Sequence, residues 1–147
     1  MSELSIRPAR AGDEPAWREL WAGYCEFYGA DVPPDVTAAT WERVTGDSPM
    51  SCLVAERGGR VVGFAHFLLH PSTWSRVDSC YLEDLFVAPA ARRGGVARAL
   101  VEALAELARE RGWRHVYWHT EGDNRPARAL YDSLVEADGY VRYVLRP

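Results

Sequence analysis

Leu85-Phe86-Val87-Ala88-Pro89-Ala90-Ala91-Arg92-Arg93-Gly94-Gly95-Val96-Ala97 is the stretch whose reading decides the fold. An apolar, strand-like run stops at Pro89, which has no N–H to give to a sheet ladder. A basic, glycine-rich turn follows. Val96, Leu100, Leu104 and Leu107 then recur at helical spacing, with Arg98, Glu102, Glu106 and Arg109 on the opposite face. The free N–H groups and the dipole at such a helix start form an anion site. Gly94 and Gly95 let a pyrophosphate come close to the backbone, and Arg92 and Arg93 add charge. A plain turn with solvated arginines is the competing reading. A Rossmann dinucleotide site is disfavoured, because the turn is not GxGxxG and follows the fourth expected strand rather than the first.

Working outward, residues 5–8 read as a short strand and 14–28 as a helix. Trp17, Leu20, Trp21, Tyr24 and Phe27 or Tyr28 recur along that helix with its period. Val32-Pro33-Pro34-Asp35 ends it and caps a second short helix through Trp41 and Val44. Strands are expected over 51–56 and 60–69, joined at Arg57-Gly58-Gly59 by a hairpin turn, and over 79–87 after a loop at 70–74. Gly112 ends the central helix, 114–120 reads as a strand, and Pro126 opens a helix over about 127–135. Residues 140–145 close the chain as a strand. The order β-α-α-β-β-β-α-β-α-β describes a mixed α/β (α+β) domain. Its sheet is mostly antiparallel, with helices on both faces and one parallel crossover.

The 147 residues fit one domain, 1–147, large enough to bury its own core. A net charge of −4 argues against a nucleic-acid partner, which calls for a basic stripe. The chain has no lysine, so Schiff-base and P-loop lysine chemistry are excluded. Cys25, Cys52 and Cys80 fit neither a disulfide framework nor a zinc spacing, and no metal triad emerges. The residue types suit a reducing compartment, and a cytoplasmic location with no membrane segment is expected.

Arg92-Arg93-Gly94-Gly95-Val96-Ala97 resembles the R/Q-x-x-G-x-G/A motif of the GNAT superfamily of N-acetyltransferases. A second segment, Asn124-Arg125-Pro126-Ala127-Arg128-Ala129-Leu130-Tyr131, is similar to that family's N-x-x-A-x-x-[LF]-Y motif. Tyr81-Leu82-Glu83-Asp84-Leu85-Phe86-Val87, taken with residues 116–120, looks like the diamine acetyltransferases and the branch that acetylates histones or D-amino acids. A Gly-Phe pair that many members place soon after the tyrosine is represented here by Gly139-Tyr140, several residues later, which favours the histone/amino-acid branch.

The resemblance implies acetyl-CoA as cofactor. It assigns the pyrophosphate to the amides from Arg93 to Ala97, with Arg92 beside them, and the pantetheine arm to Leu85, Phe86 and Val87, with Asn124 and Ala127. Tyr131 would be the general acid for the departing thiolate. Glu83 is the first choice as general base through a water. By strand alternation Asp84 points away from Glu83, so only one faces the cleft. The amine pocket is assigned to Tyr24, Glu26, Tyr28, His66, Glu83 and His119, because acidic and aromatic groups together suit an ammonium. The expected acceptor is an amine of a small molecule or peptide, and a homodimer is expected. An aminoglycoside or small-drug acetyltransferase and a non-catalytic acyl-CoA sensor are the alternatives.

Overall fold

The computed structural model describes residues 3–147. Five strands form one sheet in the order β1-β2-β3-β4-β5: β1 is Leu4–Pro8, β2 Met50–Arg57, β3 Arg60–Ser72, β4 Ser75–Val87 and β5 Val116–Tyr117. Neighbours from β1 to β4 run antiparallel, and only β4 and β5 are parallel. The helix α3, Val96–Arg111, makes the crossover between them. Two further helices, α1 (Glu14–Phe27) and α2 (Pro34–Thr45), precede β2, and α4 (Arg125–Asp132) follows β5.

Helices cover both faces. On one, Val96, Leu100, Val101 and Leu104 of α3 pack against Leu53, Ala55, Ala65, Phe67, Cys80, Leu82 and Val87. On the other, Trp17 and Leu20 of α1 and Trp41 and Val44 of α2 pack against Cys52, Val54, Phe64 and Phe86. Period-2 alternation in β2 and β3 sends neighbouring side chains to these two cores.

In β4 the alternation breaks. Ala65 pairs with Leu85 and His66 with Asp84, but Phe67 pairs with Leu82, so Glu83 has no partner on β3. This extra residue is a β-bulge, and it reverses the phase of the strand. Cys80 and Leu82 face α3 before it, and Val87 faces α3 after it, while Phe86 joins the opposite core. The expected opposition of Glu83 and Asp84 is therefore corrected. The bulge absorbs the step between them, and neither carboxylate enters the aliphatic core.

Three boundaries also differ from expectation. The loop at 70–74 is mostly strand, because β3 and β4 continue until Ser72 pairs with Ser75. The strand expected at 114–120 shrinks to Val116–Tyr117, paired with Cys80 and Tyr81. The strand expected at 140–145 is irregular chain. A strand needs an edge to pair with, and here Tyr140, Tyr143 and Leu145 are 87%, 92% and 94% exposed. The divergence after Tyr117 positions the site: residues 82–87 of β4 have no strand beside them on the β5 side.

Candidate active site

Where β4 and β5 part, a cleft of about 580 Å³ opens. Its floor is β4, through Glu83, Leu85, Phe86 and Val87. One end is closed by Tyr24, Phe27 and Tyr28 of α1, and the side by Trp118, His119 and Thr120 beyond β5. Asn124, Ala127 and Tyr131 of α4 form the wall opposite the turn that begins α3.

That turn is shaped for an anion. Arg93 has φ 66°, the one positive-φ residue other than glycine among the described residues, and Gly95 has φ 77°. Left-handed positions of this kind turn successive N–H groups toward one concavity. Gly95, which has no side chain to cap α3, leads into a helix whose first intrahelical bond runs from the Ala99 N–H to the Gly95 carbonyl. The N–H groups of Val96, Ala97 and Arg98 are thus left for a ligand or water. The Gly94 carbonyl accepts from Arg57 Nη2 at 3.1 Å, and a Cβ on Gly94 would lie 2.7 Å from that guanidinium. Arg57 gave no sequence signal, since it stands 37 residues from the turn it pins.

Arg92 is not a free surface arginine. Its Nε donates to the Val87 carbonyl at 3.2 Å, and its guanidinium lies 5.4 Å from the centre of the Phe86 ring. It thereby fixes where the turn leaves β4, with cation–π contact helping to hold it. These groups fit a pyrophosphate at the turn and an extended polar arm along the unpaired edge of β4, the pattern that CoA requires.

At the opposite wall, Asn124 caps α4, its Oδ1 accepting from the Ala127 N–H at 3.3 Å. The cap uses only the amide oxygen, so the NH₂ group stays available to the cleft. Tyr131 packs edge-on against Trp118, with ring centres 5.4 Å apart. Burial, and secondarily Tyr28, pushes its hydroxyl up to about 12. It therefore keeps its proton through the neutral range.

Glu83 is exposed as a whole residue, yet the crowded floor of the cleft strips water from its carboxyl group. That desolvation, followed by the nearby Asp84 charge, raises its pKa above the usual carboxylate value. Such a shift moves a carboxylate toward the range in which it exchanges protons with substrate near neutrality.

Tyr24, Tyr28, His119 and Glu83 line the cleft, but the other two residues assigned to the amine pocket do not. Glu26 lies exposed on α1 outside the lining. His66 is only 2% exposed and is enclosed by the rings of Trp17, Trp21 and Phe64. There its Nε2 receives the Trp17 indole N–H at 2.9 Å, and its Nδ1 meets Asp84 Oδ2 at 2.9 Å. The other Asp84 oxygen accepts the Tyr24 hydroxyl at 2.7 Å. Of the turn residues, Arg92, Arg93, Gly95, Val96 and Ala97 line the cleft, while Gly94 turns toward Arg57. Among the described residues no cluster of His, Cys, Asp and Glu is arranged to hold a metal ion.

Comparison with known proteins gives a consistent result. The model of the acetyltransferase (GNAT) family matches residues 15–134. The D-amino-acid N-acetyltransferase HPA3 of Saccharomyces cerevisiae is 34% identical over 143 residues, covering 95% of this chain and 89% of that protein. Among solved structures, the ribosomal-protein-alanine N-acetyltransferase of Brucella melitensis biovar Abortus 2308 superposes with a TM-score of 0.84 at 26% identity, covering 98% of this chain and 99% of that one. AAC(6')-Iy, solved in complex with the bisubstrate analogue CoA-S-monomethyl-acetylneamine, shares the fold at a TM-score of 0.83 and 22% identity, covering 99% of this chain and 100% of that one.

Proposed function

Because the chain belongs to the acetyltransferase (GNAT) family, whose members are acetyl-CoA-dependent acyltransferases, we propose that it N-acetylates the primary amine of an amino acid, a polyamine or a lysine side chain. One observation carries this reading: a single cleft joins the anion-binding turn before α3 to Glu83 at one position and Tyr131 at another. The D-amino-acid N-acetyltransferase HPA3 supports an amino acid as the first class to test.

Acetyl-CoA supplies an acetyl thioester, whose acyl group passes to the amine nitrogen while the sulfur leaves as a thiol. The chain's own groups hold and move protons around that exchange. An amine with a pKa of about 10.4 arrives mostly as ammonium, so a proton must be removed before its lone pair is available. Glu83 takes that proton, through a water, onto its carboxylate. Tyr131 holds a proton on Oη for the leaving sulfur. Arg92 sets the exit angle of the turn, and Arg93 to Ala97 offer the N–H groups that hold the phosphates. Leu85, Phe86 and Val87, with Asn124 and Ala127, flank the arm. No residue of the chain needs to become acylated.

We place the reaction in the cytoplasm and in a homodimer. Three free thiols, Cys25, Cys52 and Cys80, favour a reducing compartment. Exposed Tyr140, Val141, Tyr143, Val144 and Leu145 supply an apolar surface of the kind a second copy covers. Among the described residues no helix is long and apolar enough to cross a membrane.

The test follows thiol release from acetyl-CoA with amino acids of both hands, polyamines, lysine peptides and aminoglycosides. Release that depends on one amine class supports the reading and names the acceptor. Release only with aminoglycosides would replace it by drug acetylation. Flat traces despite acetyl-CoA binding would replace it by a sensor.

A further inference from the structure

The buried chain Trp17–His66–Asp84–Tyr24 has a direction that follows from what each group is able to donate. An indole N–H is only a donor, so His66 Nε2, 2.9 Å away, has to accept. That leaves the imidazole neutral with its proton on Nδ1, where it donates to Asp84 Oδ2 at 2.9 Å. The second carboxylate oxygen then takes the Tyr24 hydroxyl proton at 2.7 Å. A carboxylate is a far stronger acid than a phenol, so that proton remains on the tyrosine. A tyrosine has one proton, and Tyr24 has committed it to the protein interior.

Tyr24 also lines the cleft together with Glu83. With its proton turned inward, its oxygen has only lone pairs to offer a ligand in the cleft. We propose that Tyr24 is a specificity-determining acceptor for a primary amine: its oxygen and the water that links the amine to Glu83 together require two N–H bonds on the attacking nitrogen. A neutral primary amine has two N–H bonds and still keeps its lone pair for attack. A secondary amine or an alcohol has one, and leaves one of the two acceptors unpaired. Trp17, His66 and Asp84 are positioning residues that act through Tyr24. This inference rests on the reading of the cleft as an amine acetylation site.

The same chain predicts an unusual outcome for Asp84→Asn. His66 stays an Nδ1–H donor, because Trp17 occupies Nε2, so the new amide oxygen has to face His66. The amide NH₂ then faces Tyr24, which accepts from it and turns its own O–H into the cleft. Tyr24→Phe removes the acceptor, whereas Asp84→Asn converts it into a donor.

The experiment compares kcat/KM for alanine with N-methylalanine, and for putrescine with N,N′-dimethylputrescine, in the wild type and both variants. Calorimetric binding of acetyl-CoA reads whether each variant keeps its cofactor site, and thermal unfolding confirms that each variant is folded. The wild type is expected to favour the primary amine by about tenfold or more, the effect of one unpaired acceptor. Tyr24→Phe should bring that ratio near one while acetyl-CoA affinity is retained. Asp84→Asn should handle the primary amine worse than Tyr24→Phe does. An undiminished ratio in Tyr24→Phe overturns the inference alone, and it does so even if Asp84→Asn fails to fold. A wild type that binds acetyl-CoA but acetylates no amine overturns the underlying reading, and the inference with it.

Discussion

On the α3 face of the sheet the buried side chains are mostly aliphatic, among them Leu53, Ala55, Leu82, Leu100 and Leu104, with Phe67 the one buried aromatic ring. On the α1 and α2 face they are largely aromatic, and Trp17, Trp21, Tyr24 and His66 lie in a run of ring contacts between 5.3 and 5.9 Å. The two faces bury their residues equally well but differ in what else they bury. Leucine and valine bring no polar atom, so the first face has nothing to orient. Indole, imidazole and phenol each bring a polar handle that must find a partner when desolvated. On the second face those handles meet one another and then a carboxylate beside the cleft. One face supports the fold; the other also passes orientation to the site.

Three substitutions probe this contrast. The largest effect is expected at the cleft. Glu83→Gln should lower kcat/KM by about 100-fold or more, the range for loss of a general base. The raised pKa of Glu83 means that the base is competent only above that value, so wild-type kcat/KM falls as pH drops through it, and the glutamine variant lacks this limb. The sign for stability is opposite. A carboxyl whose folded pKa is raised stabilises the fold below its unfolded pKa and loses that contribution as pH rises through the folded value. At neutral pH Glu83→Gln should therefore be no less stable than the wild type, as thermal unfolding would show. A variant that was both unstable and inactive would erase the division of labour.

Next is Leu100→Ala on the aliphatic face, where the side chain is fully buried. It should cost about 3 kcal/mol in denaturant unfolding, as a cavity of that kind does, and leave amine preference untouched. Altered preference would mean that orientation crosses the sheet.

A smaller loss of stability than at Leu100 is expected from Trp17→Phe, which leaves His66 Nε2 without its donor and should cost about 1–2 kcal/mol. It also frees the imidazole to exchange tautomers. The double variant Trp17→Phe/Asp84→Asn should then recover primary-amine preference relative to Asp84→Asn alone, because the amide oxygen is free to turn to Tyr24. Simple additivity of the two changes would show that the chain carries no directional information.

Much of this was legible in the sequence, for reasons that separate the two faces again. Helix periodicity and the Arg92–Ala97 turn are local signals, and they located α1, α3 and the turn between β4 and α3. The bulge was not legible, since an extra residue in a strand leaves a run such as Tyr81-Leu82-Glu83-Asp84-Leu85 looking like ordinary alternation. His66 read either as a pocket histidine or as one hydrogen-bonded on its strand face, and the sequence did not decide between them because its partners stand 49 and 18 residues away. The strand expected at 140–145 has a suitable composition, but pairing depends on an available edge, which no single segment specifies. Arg57 was missed on the same ground.

The unpaired residue in β4 has a consequence for how such a chain tolerates change. Substitutions along the strand alter one side chain each, and losing Glu83 would only close the bulge, since Asp84 and Leu82 already pair with the consecutive His66 and Phe67. Losing or gaining a residue between Asp84 and Val87 would shift the reading frame of everything after it. Val87 would be turned away from the aliphatic core, and the turn that follows would leave the sheet in another direction. Length variation is therefore free to accumulate at the β3–β4 hairpin and beyond α4, whereas the run from Asp84 to Val87 has to keep its count even where its letters vary.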